Sequence, residues 1–315
     1  MKKSIPILMT IAIMIGCMPF ASAATTVKVS EAEPEYLEFH QQINLENIDL
    51  EVTNGEVQAS VSSDVPAANK AIYQPEVDDL MEFLDEYDEV ADLFKACITK
   101  GKDLVAFSIT EAPILLEDGH TKRVPVSQSD YFEESIASIK GYFALATMVE
   151  RNPSEHVGSD LVYYTTTVGA WSKNSFVGGE NYPSFGDDWV LQSVPNTWTT
   201  SSSYMTAKFD TNPTVGVEGD DFWEADGGDS YVKYVVRDDP LGWRQNKGFV
   251  LECTSAGPVS RGEQRIIHSY YVHTWASMSL DVSVSASSED EVSLSLSPSL
   301  KEKSWSLHNK VDFTF

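Results

Sequence analysis

Between Ala276 and Leu300 the chain is written almost entirely in two kinds of residue. Ala276, Met278, Leu280, Val282, Val284 and Ala286 alternate with serines and one aspartate. After Ser288-Glu289-Asp290-Glu291 the alternation resumes, with Val292, Leu294, Leu296, Pro298 and Leu300 set against Ser293, Ser295, Ser297, Ser299 and Lys301. Successive side chains of a strand point to opposite faces, so each arm carries one apolar and one hydroxyl face. A short acidic connection between two such arms predicts an antiparallel hairpin. As an ordinary element it packs its apolar face on a core and leaves its serine face wet. Its arms, Ala276–Ala286 and Val292–Leu300, also match the roughly 9–11 residues of a tilted membrane strand. In that alternative Met278, Leu280, Val282, Val284, Val292, Leu294 and Leu296 face lipid, and several copies close a barrel so that no strand edge is left unpaired in hydrocarbon. The acidic tip and Pro298 weigh against insertion.

The first 23 residues have the form of a secretory signal, which places the protein outside the cell. Lys2-Lys3 precede an apolar run from Ile5 to Gly16, and Ala21-Ser22-Ala23 supplies small residues for cleavage before Ala24. An alternative is a lipid anchor through Cys17, since Met14-Ile15-Gly16-Cys17 resembles a lipoprotein box. With 48 acidic against 22 basic residues, the formal net charge is −26. Such a chain is self-repelling and makes nucleic acid a poor partner. Beyond the signal two cysteines remain, Cys97 and Cys253, and in an oxidising compartment they are expected to form one disulfide.

Residues 24–71 are acidic and poor in aromatics, which predicts a flexible or pro-segment. Over 72–101 the period turns helical. Val77, Leu80, Met81, Leu84, Tyr87, Val90, Ala91, Phe94 and Cys97 form one stripe, Pro75 suits a helix start and Gly101 a stop. From 102 to 315, short β-favouring runs such as Leu161–Trp171 and Arg265–Trp275 are punctuated by turn residues. The fold class expected is therefore mainly β: an antiparallel β-sandwich or barrel-like domain with one N-terminal amphipathic α-helix. The closing Val311, Phe313 and Phe315 resemble the last strand of an outer-membrane barrel, but the helix and the loop-rich middle do not supply the long alternating strands such a barrel needs.

No catalytic signature stands out: the chain lacks G-x-S-x-G, H-E-x-x-H, a phosphate loop and paired C-x-x-C. His268 and His273, five apart in a predicted strand, fall on opposite faces and cannot share a metal. Asp220, Asp221, Glu224, Asp226 and Asp229 crowd a glycine-bearing loop. Oxygen ligands on a foldable loop suit calcium, although the spacing departs from the EF-hand pattern. Trp189, Trp198, Trp223 and Trp243 lie in polar, Gly/Pro-rich surroundings and are candidate sugar-stacking residues. The leading expectation is a secreted or surface-held bacterial protein of non-enzymatic binding type, taking a glycan or another cell-surface ligand. The alternative is a membrane-active protein that inserts the 276–300 hairpin, and a secreted hydrolase comes third.

Overall fold

The structure is a computed structural model. It describes residues 36–117, 120–126, 139–172, 187–195, 197–209, 222–224, 231–237, 246–258, 264–274, 282–286, 292–296 and 304–314. The signal segment, Cys17, Trp243, Met278, Leu280 and all of the acidic loop except Glu224 lie outside these residues.

The chain opens with strand β1 (Phe39–Ile43), the hairpin β2 (Ile48–Thr53) and β3 (Glu56–Val61), and helices α1 (Lys70–Glu86) and α2 (Asp88–Thr99). There follow β4 (Asp103–Glu117), β5 (His120–Arg123), β6 (Ile139–Val157), β7 (Asp160–Trp171), β8 (Asp187–Ser193) and β9 (Thr199–Phe209). The remainder is β10 (Phe222–Glu224), β11 (Tyr231–Arg237), β12 (Asn246–Gly257), β13 (Gln264–Thr274), β14 (Val282–Ala286), β15 (Val292–Leu296) and β16 (Ser304–Thr314). A seven-stranded antiparallel sheet runs β1-β4-β6-β7-β12-β9, with β5 beside β4, and a five-stranded sheet runs β10-β11-β8-β13-β16. The fold is thus mainly β and antiparallel.

Alternation gives the larger sheet two buried faces. One presents Phe107, Ile109, Ala144, Ala146, Met148 and Val168 to the two helices and the β2–β3 hairpin. The other presents Ile114, Phe143, Leu145, Phe249, Leu251 and Cys253 to Val190, Tyr271, Trp305 and Leu307 of the five-stranded sheet.

Three expectations change on this frame. Residues 36–71, expected to be flexible, are ordered, because Ile43, Ile48, Val57 and Val61 alternate with polar residues and bury against the helices. The single helix is two, starting a turn before Pro75. The chain is extended at Tyr87 (φ −123°, ψ 102°), whose fully buried ring aims its hydroxyl at Glu111, 2.5 Å away. Cys97 and Cys253 are both buried and are not bonded to each other. Cys97 packs in the helix-side core and Cys253 faces the opposite side of the same sheet, so a whole strand layer separates them. Burial, followed by the nearby Glu150 carboxylate, pushes the Cys97 thiol up to about 12. A thiol reagent is expected to label neither cysteine in the folded protein and both after denaturation without reductant. Labelling of only reduced, denatured protein would restore the disulfide.

A belt of polar side chains crosses the middle of the sandwich. Asn309 Nδ2 donates to Ser108 Oγ and Thr147 Oγ1, each at 3.0 Å, and its Oδ1 accepts from Thr110 at 2.9 Å. Ser269 Oγ lies 2.8 Å from both Thr147 and Thr167, and Gln192 accepts from Thr167 at 2.6 Å while donating to Thr165 at 2.5 Å. On each strand that contributes to it, the belt separates the inter-sheet core already described from a second one containing Tyr163, Trp198, Ile267, Val311 and Phe313. The belt groups bond to one another, which is the condition under which buried hydroxyls and amides can be tolerated.

Candidate membrane hairpin and its root

Strands β13 and β16 pair along their whole length, ending with Thr274 opposite Ser304. Antiparallel neighbours need only a loop of about 2–5 residues. Here the chain instead runs through residues 275–303 before returning. Within that excursion β14 pairs with β15, and among the described residues this ladder joins neither sandwich sheet. Val282 stands opposite Leu296, Val284 opposite Leu294 and Ala286 opposite Val292, while Ser283 meets Ser295 and Ser285 meets Ser293. Apolar pairs and serine pairs therefore alternate in register. A slip by one residue would set an apolar residue against serine throughout, so the pattern itself specifies the pairing.

The root of the excursion is held by a buried carboxylate. Asp188, at the start of β8, has no exposed surface. It accepts from Tyr271 Oη at 2.7 Å and from the backbone N–H of Thr274, the last residue of β13, at 3.1 Å. Its Oδ1 also lies 2.9 Å from His273 Nδ1, and the His273 ring packs 5.3 Å from that of Trp305. Trp305 Nε1 in turn donates to Thr121 Oγ1 at 3.0 Å. The strand ends that emit and receive the excursion are thus clamped to β8 and β5. Sequence reasoning missed this clamp, because Asp188 lies in a loop-like Gly-Asp-Asp-Trp run among many acids. The expected separation of His268 from His273 does appear, with His273 in this interior cluster and His268 beside His308 on the other face of the sheet.

The candidate binding tryptophans are not gathered into one site. Trp198 is 2% exposed and stacks on Tyr163 at 4.2 Å and 11°, with Phe313 at 5.9 Å. It is a core residue, correcting its assignment to a ligand surface: the turn that bears it folds its ring into the gap beside Gly257. Trp189 is half-buried with Lys233 Nζ 4.7 Å from its ring. Trp223 on β10 stands opposite Val235 of β11, which in turn stands opposite Trp189 of β8, so the two tryptophan positions flank Val235 in one cross-strand row. Glu224 ends β10 opposite Tyr234. Among the described residues no group of three or more His, Cys, Asp or Glu is placed to hold a metal ion, and no helix is long and apolar enough to cross a membrane, which says nothing of strands.

No family model matches the chain, and no curated protein matches it. A solved structure titled "Pore forming protein" aligns over 90% of this chain and 93% of its own, at 8% sequence identity and a TM-score of 0.23. A TM-score this low carries no argument about this chain.

Proposed function

We propose that this is an exported, membrane-active β protein whose 276–300 segment enters the bilayer as a hairpin, with several copies closing a barrel. The observation that carries the reading is the insertion of an in-register, two-faced ladder between two strands that are already paired to their ends. A ladder of 5-residue strands is too short to span. The membrane form must extend it over Ala276–Ala286 and Val292–Leu300, toward the roughly 9–11 residues that a tilted strand needs. Closure into a barrel satisfies the outer backbone groups, and the serine face then lines water. Glu289, Asp290 and Glu291 at the tip have to be carried across, which makes insertion costly and favours a triggered over a spontaneous step.

Binding to a cell-surface ligand is a second reading, supported by the Trp189–Val235–Trp223 row, and it supplies the attachment step that membrane entry needs. Calcium at the acidic loop would belong to the same attachment step.

Dye release from liposomes tests the proposal. The mature wild-type protein is expected to release trapped dye. Val284→Asp is expected to melt as the wild type does and to release none, because a charge then sits on the lipid face of the barrel. A Val284→Asp variant that fails to fold would return the ladder to the sandwich core. A wild type that releases no dye under any lipid composition or pH would end the membrane reading and leave surface binding.

A further inference from the structure

The first strand and the last meet at one edge of the sandwich. Gln42 Nε2 donates to the Asp312 carbonyl at 2.5 Å, and the Asp312 N–H returns to Gln42 Oε1 at 2.9 Å. Three of the chain's six histidines gather beside this seam. His268 Nδ1 lies 2.9 Å from His308 Nε2, with the two rings stacked at 5.2 Å and 12°. Tyr270 stacks on His308 at 4.4 Å and 16°. His40 Nδ1 bonds Thr110 Oγ1 at 3.0 Å and is close enough for its charge to act on His308.

A bond between two imidazole nitrogens needs one proton and one lone pair. When both rings are charged, proton faces proton, and attraction becomes repulsion in a poorly solvated place. The acids at hand are already engaged. Asp312 pairs with Lys310 at 2.9 Å and Glu38 with Arg123 at 2.8 Å. Lys310 adds a positive charge on the same strand as His308. Among the described residues, the further contacts at the cluster come from neutral groups: Thr110 of β4, Ser193 of β8, Gln264 and Tyr270 of β13, and Asn309 of β16.

We propose that His40, His268 and His308 form a proton-operated clasp, whose charging frees β1 from its neighbours β4 and β16 and opens this edge of the sandwich in acid surroundings. Burial first, then His268 and His40, hold the His308 imidazole down at about 4. Burial likewise lowers His40, outweighing the opposing pull of Glu38. The closed clasp therefore binds fewer protons than an open one, whose imidazoles titrate near their ordinary value of about 6.5. The closed edge is fully favoured above that value and loses the preference as pH falls towards about 4. On His308 alone this changes the open-to-closed ratio by on the order of a hundredfold. The clasp does not depend on whether the hairpin enters lipid.

Hydrogen exchange on the mature protein, compared at about pH 7.5 and about pH 4.5 and corrected for intrinsic rates, reads it directly. Opening of the Phe39–Ile43 amides is expected to rise on the order of a hundredfold, with β6 and β7 remaining protected. A His268→Phe, His308→Phe double variant, which keeps two stacked rings but cannot charge them, is expected to hold β1 closed at the lower pH. If that variant does not fold, His40→Gln is expected to move the opening to lower pH. Unchanged β1 protection in the wild type, simultaneous loss of protection in β6 and β7, a folded double variant that opens as the wild type does, or a His40→Gln profile identical to the wild type would each overturn the proposal.

Discussion

Asp188→Ala is expected to lower stability by about 2–5 kcal/mol, the cost of taking a shared acceptor away from several buried donors. The carboxylate is the shared acceptor for Tyr271 Oη and the Thr274 N–H, and it stands against His273 Nδ1, all inside the protein. Alanine leaves these donors in apolar surroundings beside Trp305, where each unmade bond costs about 1–3 kcal/mol. The loss is a large share of the roughly 5–15 kcal/mol that stabilises a typical domain. Urea unfolding followed by tryptophan fluorescence measures it. Asp188→Asn, which keeps the shape and one acceptor, should lose less. A loss below about 1 kcal/mol for the alanine variant would mean that the cluster rearranges without its acid. The same change frees the end of β13, so the hairpin root should exchange its amides faster even in variants that remain folded.

Gly257→Ala carries the other large effect. A methyl there would lie 2.0 Å from Trp198 Cδ1, 2.4 Å from Nε1 and 2.7 Å from Cγ. The indole has little room to retreat, being stacked on Tyr163 with Phe313 also against it, and a clash at Cγ is not relieved by rotating the far end of the ring. Overpacking of this kind costs about 1–3 kcal/mol and occasionally more. Adding Trp198→Leu, a smaller side chain, should recover part of that loss, and the double-mutant cycle isolates the shared term. A cycle that is additive within about 0.5 kcal/mol would place the cost elsewhere.

The β character, the separation of His268 from His273 and the amphipathic hairpin can be read from spacing alone, because each rests on a period of two that sterics impose locally. The helical stripe was also legible, but not its break. Glu86-Tyr87-Asp88 continues the stripe without proline or glycine, and the extension at Tyr87 follows from the distant carboxylate of Glu111. The β1–β3 segment has the composition of a flexible segment, because its apolar residues are scattered among acids. They become a core only when the helices supply the opposite wall. Nothing in the local sequence announces Thr165, Thr167, Ser269 and Asn309 as buried, since polarity in a strand ordinarily marks the wet face. Their actual direction depends on partners in other strands, which no local pattern encodes. Trp198 misled for the converse reason: polar neighbours in sequence say little about where a large ring on a turn is placed.

The polar belt also bears on time. Its members come from β4, β6, β7, β8, β13 and β16, and the Asn309–Ser108 bond joins residues 201 apart. While any of these strands is absent, closing the two sheets would trap hydroxyls and amides without partners, at a cost of about 1–3 kcal/mol each. Half-assembled sandwiches are therefore penalised, and closure waits for β16, the strand that arrives after the 275–303 excursion. Chains dominated by such distant pairings fold on the order of milliseconds to seconds. During that interval the inner faces of both sheets stay open to solvent, so partially folded chains should be the species most prone to meet one another.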